Sequence, residues 1–315
     1  MLSLIIPVYR NEGSLPALVD VLAQLFHKLE GRLEVVFVID ASPDNSAAWL
    51  HDRLRTCIFP SKLIELARNF GSFAAIREGL TKGSGPYFAV MAADLQEPPS
   101  LIEEFYSALH RDECDVAIGT RHERNDPFLS RLNSQLFWGL YRRLVQRSMP
   151  SGGVDIFACN QKVKDQLVAL RESNSSLVGL VFWVGFRRKY ISYARLPREH
   201  GKSAWTMKKK IKYLSDSVFS FSDLPIQLLL LIGMFGILIS LVLSTLVMAA
   251  KITGYIPIPG YAATVLVILF FAGLNSLGLG LIGSYVWRAF ENTKQRPLSI
   301  VMNQTNFSGA RSFHE

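Results

Sequence analysis

Cysteine is scarce in this chain. Cys57, Cys114 and Cys159 are its only three, an odd count with no Cys-x-x-Cys and no histidine spacing suited to zinc. That excludes a disulfide scaffold and leaves three reduced thiols in a reducing compartment. Internal repeats and low-complexity tracts are absent too, which excludes a solenoid or a propeller. No signal peptide is expected, because Met1–Val8 is apolar but far shorter than an h-region and is closed by Arg10 and Asn11. The most informative absence is of charge. Neither Ile226–Ala250 nor Ala262–Trp287 contains a single Asp, Glu, Lys or Arg. At about 25 residues each, both runs are long enough to cross roughly 30 Å of hydrocarbon as helices.

What is present is arranged around those two runs. The net charge of +8 is concentrated at Lys202, Lys208, Lys209, Lys210 and Lys212 before the first run, and at Arg288, Lys294 and Arg296 after the second. The connector Lys251–Tyr261 carries one lysine. Positive flanks stay cytoplasmic, so both termini and the soluble part are expected in the cytoplasm and the connector outside. The basic clusters suit a solvated face or anionic headgroups, and Lys202 is also within range of a phosphate-binding role. Nucleic acid is not the expected partner; a lipid bilayer is. Trp205 and Trp287 flank apolar stretches as interfacial aromatics do. Glycines in the second run give it a surface for packing against copies of itself, so a homo-oligomer is a candidate state.

The residues before the hairpin read as a soluble α/β domain. Strands are expected at Leu2–Val8, Leu33–Ile39, Lys62–Leu66, Tyr87–Met91 and Asp115–Gly119. Helices are expected at Leu15–Leu29, Ser46–Arg55, from about Gly71 to Thr81, and from Pro98 to His110. Strand–helix alternation predicts a mostly parallel sheet covered on both faces, with ligands beyond the carboxyl ends of the strands. A further apolar stripe from Phe128 to Val145, bordered by Arg131, Arg142, Arg143 and Arg147, suits either a membrane-surface helix or a core-facing one. The division expected is a catalytic domain over 1–200, a basic juxtamembrane segment over 201–224, two spans at about 226–250 and 262–287 within 225–288, and a cytoplasmic tail over 289–315. The tail is polar from Asn303 and is expected to be disordered.

Chemistry-bearing residues fall at the predicted strand ends. Asp94-Leu95-Gln96 follows the fourth strand. A carboxylate and a side-chain carbonyl two residues apart suit a hard cation such as Mg²⁺ on diphosphate oxygens, and the plainer reading is a loop acid or helix cap. Asp40 ends the second strand; it suits an acceptor for a base or ribose, or an N-cap for the next helix. Tyr9 and Glu12, in the turn after the first strand, frame the same edge.

Taken in order, Pro7-Val8-Tyr9-Arg10-Asn11-Glu12, Asp40-Ala41-Ser42-Pro43-Asp44, Arg68-Asn69-Phe70-Gly71, Asp94-Leu95-Gln96-Glu97-Pro98-Pro99 and Gly119-Thr120-Arg121 resemble glycosyltransferase family 2. More narrowly they resemble its polyprenyl-phosphate glycosyltransferases, such as dolichyl-phosphate mannose synthases and bactoprenol glucosyltransferases. The resemblance continues through Gly153-Val154-Asp155, Trp183-Val184-Gly185, Arg198-Glu199-His200-Gly201-Lys202-Ser203 and the hairpin. It implies a GT-A fold followed by a two-helix transmembrane hairpin, and an enzyme that transfers a single sugar, with inversion, from a nucleotide-diphosphate sugar to polyprenyl phosphate at the cytoplasmic face of a bacterial plasma membrane. It also implies roles. Pro7, Tyr9, Glu12 and Asp40 would hold the nucleoside, with Ala93 beside the donor. Asp94 and Gln96 would hold Mg²⁺ or Mn²⁺ on the diphosphate. Arg121 would face the acceptor phosphate, Asp155 would lie beside the acceptor, and Arg198 and Ser203 would lie on a loop closing over the diphosphate. A processive polysaccharide synthase needs more spans and a Gln-x-x-Arg-Trp motif, and neither is present.

Several positions depart from the pattern, among them Ile156-Phe157, which follow Asp155 where Phe-Arg is usual. Ile39 stands where the second motif usually has its first aspartate, and Ala41 where it has glycine. Ala92 replaces the first carboxylate of the usual Asp-x-Asp, and Ala204 replaces a lysine after Ser203. These keep open a second reading, a degenerate paralogue that binds donor or lipid, or scaffolds a membrane complex, without turnover.

Overall fold

The computed structural model describes residues 1–121, 139, 141–143, 149–150, 154, 156–172, 175–197, 207–222, 224–253 and 260–309. The chain runs β1 (Leu2–Val8), α1 (Leu15–Lys28), β2 (Leu33–Ile39), α2 (Ser46–Arg53), β3 (Ser61–Leu66), α3 (Ser72–Lys82), β4 (Tyr87–Val90), α4 (Pro99–His110) and β5 (Val116–Arg121). It continues with β6 (Phe157–Asn160), α5 (Gln161–Ala169), α6 (Leu177–Trp183), β7 (Arg188–Tyr193), α7 (Met207–Phe221), α8 (Leu224–Ile252), α9 (Tyr261–Thr293) and β8 (Val301–Phe307).

All eight strands form one sheet in the order β7-β5-β6-β4-β1-β2-β3-β8. β3, β2, β1 and β4 are mutually parallel. β6 is antiparallel to both β4 and β5, and β7 is parallel to β5, so β5 and β7 point the same way as the central four. The sheet is therefore mostly parallel, as expected.

The central strands are buried on both faces, which is why β1 and β2 read as unbroken apolar runs rather than alternating ones. Side chains of β1 alternate between two cores. Leu2, Leu4, Ile6 and Val8 join α1 and α4 on one face, whereas Ile5 joins α3, α5 and α6 on the other. On α1 the buried residues are Leu15, Leu18, Val19, Leu22 and Leu25, the helical spacing the sequence displays. Gly79 lets α3 lie directly on the sheet, since a Cβ there would stand 2.4 Å from Ile5 Cγ2.

The disorder expected from Asn303 does not hold for residues 303–309; residues 310–315 lie outside the described residues. Asn303–Phe307 belong to β8, which pairs antiparallel with β3 from Ser61↔Phe307 to Leu66↔Val301. Polarity hid the strand: its side chains are mostly exposed at a sheet edge, and its order comes from the backbone groups that β3 would otherwise leave unpaired. The approach is pinned as well. Ala67 N–H donates to the Ile300 carbonyl at 2.9 Å, and Ser299 Oγ donates to Glu78 on α3 at 2.7 Å.

The two charge-free runs lie within α8 and α9, of 29 and 33 residues. Among the described residues, Phe270–Thr293 is long and apolar enough to cross a membrane, and the end of α7 meets the start of α8 at a bend of 78°. Large apolar side chains on both helices are exposed, among them Leu231, Met234, Phe235, Phe270 and Leu279. An ion pair of 2.8 Å between Arg288 on α9 and Asp216 on α7 fastens the second helix to the segment that precedes the first. Most of the stripe from Phe128 to Val145 lies outside the described residues. Its Tyr141 is fully buried, stacked on Tyr213 of α7 with ring centroids 5.8 Å apart.

Candidate functional site

The carboxyl ends of six parallel strands open on one edge of the sheet. The edge collects Tyr9–Glu12 after β1, Asp40–Asp44 after β2, Arg68–Gly71 after β3, Asp94–Gln96 after β4, Arg121 at the end of β5 and Ala194–Leu196 after β7. Pro7, Tyr9, Glu12, Asp40, Ala93, Asp94, Gln96 and Arg121 thus share one edge. Asp155, Arg198 and Ser203 lie outside the described residues.

The first two loops hold each other. Arg10 and Ala41 both adopt left-handed backbone, at φ 57° and 47°. The Arg10 amide donates to Ser42 Oγ at 2.7 Å, the Glu12 amide donates to Asp44 at 3.1 Å, and the Asn45 amide donates back to Glu12 at 3.1 Å. Burial on its own would raise the Asp44 carboxyl, but hydrogen bonds from Ser42, Ser46 and the Glu12 amide outweigh it and hold the group below the usual carboxylate range. The Arg10 guanidinium lies 5.5 Å from the centroid of the half-buried Tyr9 ring. Ser14 Oγ donates to the Ala93 carbonyl at 2.7 Å, joining this pair of loops to the one after β4.

Asp40 is 3% exposed, and both its oxygens are used: Oδ1 accepts from the Phe70 amide at 2.7 Å and Oδ2 from the Gly71 amide at 2.9 Å. It therefore fixes the start of α3 rather than capping α2. Gly71, at φ 95° and ψ 157°, takes a backbone conformation close to glycine-only. The loop presents Arg68 outward, its guanidinium 4.4 Å from the Phe70 ring centroid.

Asp94 is half-buried, and its Oδ1 lies 3.4 Å from the Gln96 amide, with Leu95 between them at φ 55°. Gln96 is 8% exposed and grips the segment after β7. Its Oε1 accepts from Arg195, its Nε2 donates to the Leu196 carbonyl at 3.4 Å, and its own carbonyl accepts from the Leu196 amide at 2.9 Å. No group of three or more His, Cys, Asp or Glu suited to a metal occurs among the described residues. The donor set fits Mg²⁺ or Mn²⁺ bound by one protein carboxylate, that of Asp94, with diphosphate oxygens and waters completing the shell, an arrangement Mg²⁺ favours. Arg121 sits at the end of β5, in register with Tyr193, and Thr120 Oγ1 lies 3.3 Å from Ser192 Oγ.

Arg195 was missed in the sequence because a lone arginine in a loop carries no spacing signal. Its place depends on β7 pairing with β5, which delivers residues 194–196 beside the loop after β4.

The profile of glycosyl transferase family 2 matches residues 3–168, more than half of the chain. The chain belongs to this family: it is a glycosyltransferase with a GT-A-like, mostly parallel α/β domain. Its relatives include a putative glycosyltransferase of Bacillus subtilis, 31% identical over 94% of this chain and 90% of the other. A bactoprenol glucosyl transferase of Shigella phage SfV is 26% identical over 96% of this chain and 98% of its own. An undecaprenyl-phosphate 4-deoxy-4-formamido-L-arabinose transferase of Proteus mirabilis is 28% identical over 94% and 91%.

Proposed function

We propose that the protein transfers a single sugar from a nucleotide-diphosphate sugar to polyprenyl phosphate, with inversion, at the cytoplasmic face of the membrane. The observation that carries this reading is that relatives named for sugar transfer to polyprenyl carriers match 96% and 94% of the chain. The site chemistry agrees. A lipid phosphate is already ionised at neutral pH, so its oxygen attacks the anomeric carbon without a strong general base. The anomeric bond to the diphosphate breaks as the new one forms, in a single inverting displacement. The protein's work is positioning and neutralising a departing diphosphate.

Tyr9, Glu12 and Pro7 would border the nucleoside, and Asp40 would act there by fixing the loop that carries Arg68 and Phe70. Asp94 would hold Mg²⁺ or Mn²⁺, which supplies Lewis-acid neutralisation of the diphosphate when bound. Arg121 would meet the acceptor phosphate. Asp155 would orient the acceptor, and Arg198 and Ser203 would close over the diphosphate.

The bilayer is part of the proposal. As helices, α8 and α9 extend about 44 Å and 50 Å, enough for two spans. The chain leaves the domain through α7 and rejoins the same sheet at β8, which supports placing both ends of the hairpin on one side. That side would be the cytoplasm, given the basic flanks.

The test is transfer of radiolabelled sugar from a panel of nucleotide sugars to undecaprenyl phosphate by detergent-solubilised protein, with Mg²⁺ or Mn²⁺, beside Asp94→Ala. Label entering the lipid phase with one donor, and lost in the variant, is the expected result. The anomeric configuration of the product, read by NMR, checks inversion. Folded protein that binds a nucleotide yet transfers nothing would instead support the degenerate, binding-only reading, with Ala92 as its cause.

A further inference from the structure

The contact between Gln96 and Arg195 does not suit a second metal ligand. An amide oxygen that accepts from a guanidinium lies beside a fixed positive charge, and a divalent cation on the same oxygen would be repelled at close range. The other position from which a second ligand is expected holds Ala92. Of the two Asp-x-Asp positions only Asp94 keeps its carboxylate; the buried Glu97 carboxylate accepts from the Ala92 amide at 3.3 Å, and a cation reaches the edge from the protein itself. Leu196, the residue next to Arg195, is fixed to Gln96 through its amide and its carbonyl. Arg195 is exposed, and apart from the bond to Gln96 its guanidinium makes no hydrogen bond to the described residues. A planar fork with one nitrogen anchored and the rest open matches two oxygens of a phosphate.

We infer that Arg195, positioned by Gln96, binds the donor diphosphate directly and takes over charge neutralisation that a second metal-binding carboxylate would otherwise support. Gln96 is then a positioning residue. The inference rests on the donor-site reading above and deepens it: this chain holds its nucleotide with unusually little help from a divalent ion.

The experiment is calorimetric titration of the full-length protein in detergent with UDP, GDP and dTDP, each in EDTA and in Mn²⁺. Wild type, Arg195→Ala, Arg195→Lys and Gln96→Ala are compared, with Mn²⁺ binding without nucleotide followed by electron paramagnetic resonance. In EDTA, at least one nucleotide should bind wild type within about tenfold of its affinity in Mn²⁺. Arg195→Ala should weaken that metal-free binding by about tenfold or more, the worth of a charge-assisted hydrogen bond. Arg195→Lys, which keeps the charge, should fall between, because an ammonium cannot hold Gln96 and a phosphate in the same fork; it decides the matter if the alanine variant does not fold. Gln96→Ala should weaken nucleotide binding in EDTA while leaving Mn²⁺ occupancy unchanged.

Wild type that binds nucleotide only with Mn²⁺, or an Arg195→Ala variant that binds like wild type in EDTA, would overturn the role of Arg195 while leaving glycosyl transfer intact. Loss of Mn²⁺ in Gln96→Ala would make Gln96 a metal ligand and overturn it equally. No binding of any nucleotide, with or without Mn²⁺, would bring down the donor-site reading and this inference together.

Discussion

The carboxylate of Asp40 meets the amide of Gly71 at 2.9 Å, tying the end of β2 to the start of α3 across 31 positions of chain. The neighbouring Phe70 amide takes the other oxygen. One buried side chain thereby sets the shape of a loop that carries none of its own capping groups.

Asp40→Ala should therefore destabilise the protein by about 2–4 kcal/mol, since it leaves two amides without their charged acceptor. Asp40→Asn, which retains one acceptor oxygen, should cost less. Urea unfolding of the detergent-solubilised variants checks the order. Equal midpoints for alanine and wild type would mean that the loop finds other partners.

Gly79→Ala offers a conflict between two effects. Alanine favours a helix interior by about 1 kcal/mol over glycine. Against that, its Cβ would stand 2.4 Å from Ile5 Cγ2 and 3.2 Å from Val38 Cγ2. Overpacking of this kind costs about 1–3 kcal/mol, so the net change should be destabilising. A raised melting temperature would show that β1 yields more easily than the packing implies.

Removing residues 299–315 should cost the sheet its β8 edge. β3 would lose its antiparallel partner, Ala67 its carbonyl and Glu78 the Ser299 hydroxyl. An open edge at β3 should favour association of the catalytic domain. Size-exclusion chromatography with a thermal melt is the measurement. A truncated protein that elutes and melts like wild type would make β8 dispensable.

Acid should loosen the join between β5 and β7. The Arg187 side chain bonds Asp115 at 3.0 Å and holds its carboxyl below the usual range against the opposing effect of burial. A depressed folded-state value means that the ionised group stabilises the fold above the unfolded value of about 3.9. That contribution is lost as pH falls from there through the folded value. Asp115→Asn should flatten this limb of a stability-against-pH curve, leaving a smaller difference between pH 6 and pH 3 than in wild type. An unchanged slope would place the acid sensitivity elsewhere.

Elements that repeat a period were legible without coordinates. The five strands expected within the first 121 residues and the helices between them fall within a few residues of their places, because buried parallel strands and amphipathic helices announce themselves by apolar spacing. β6 and β7 carry no comparable signal, and the polarity of β8 reads as disorder. Short strands at the flank of a sheet owe their existence to a neighbour's unpaired backbone more than to their own side chains. The end of an apolar strand puts Asp40 at the sheet edge, but its partners are not foreseeable, since no local pattern links residue 40 to residues 70 and 71.

The sequence by itself determined the contrast between a charged α/β region and two long charge-free runs, and the order of loops at the strand ends. Both follow from composition and local period, which need no folded context. Tertiary structure alone decided that the chain comes back from α9 to close the sheet, that Asp40 spends its charge on a loop rather than on solvent, and that Arg195 rests on Gln96. Each of these joins residues from 30 to more than 200 positions apart, and hydrogen-bond partners at such separations are fixed by strand pairing and register, which no single stretch of sequence encodes.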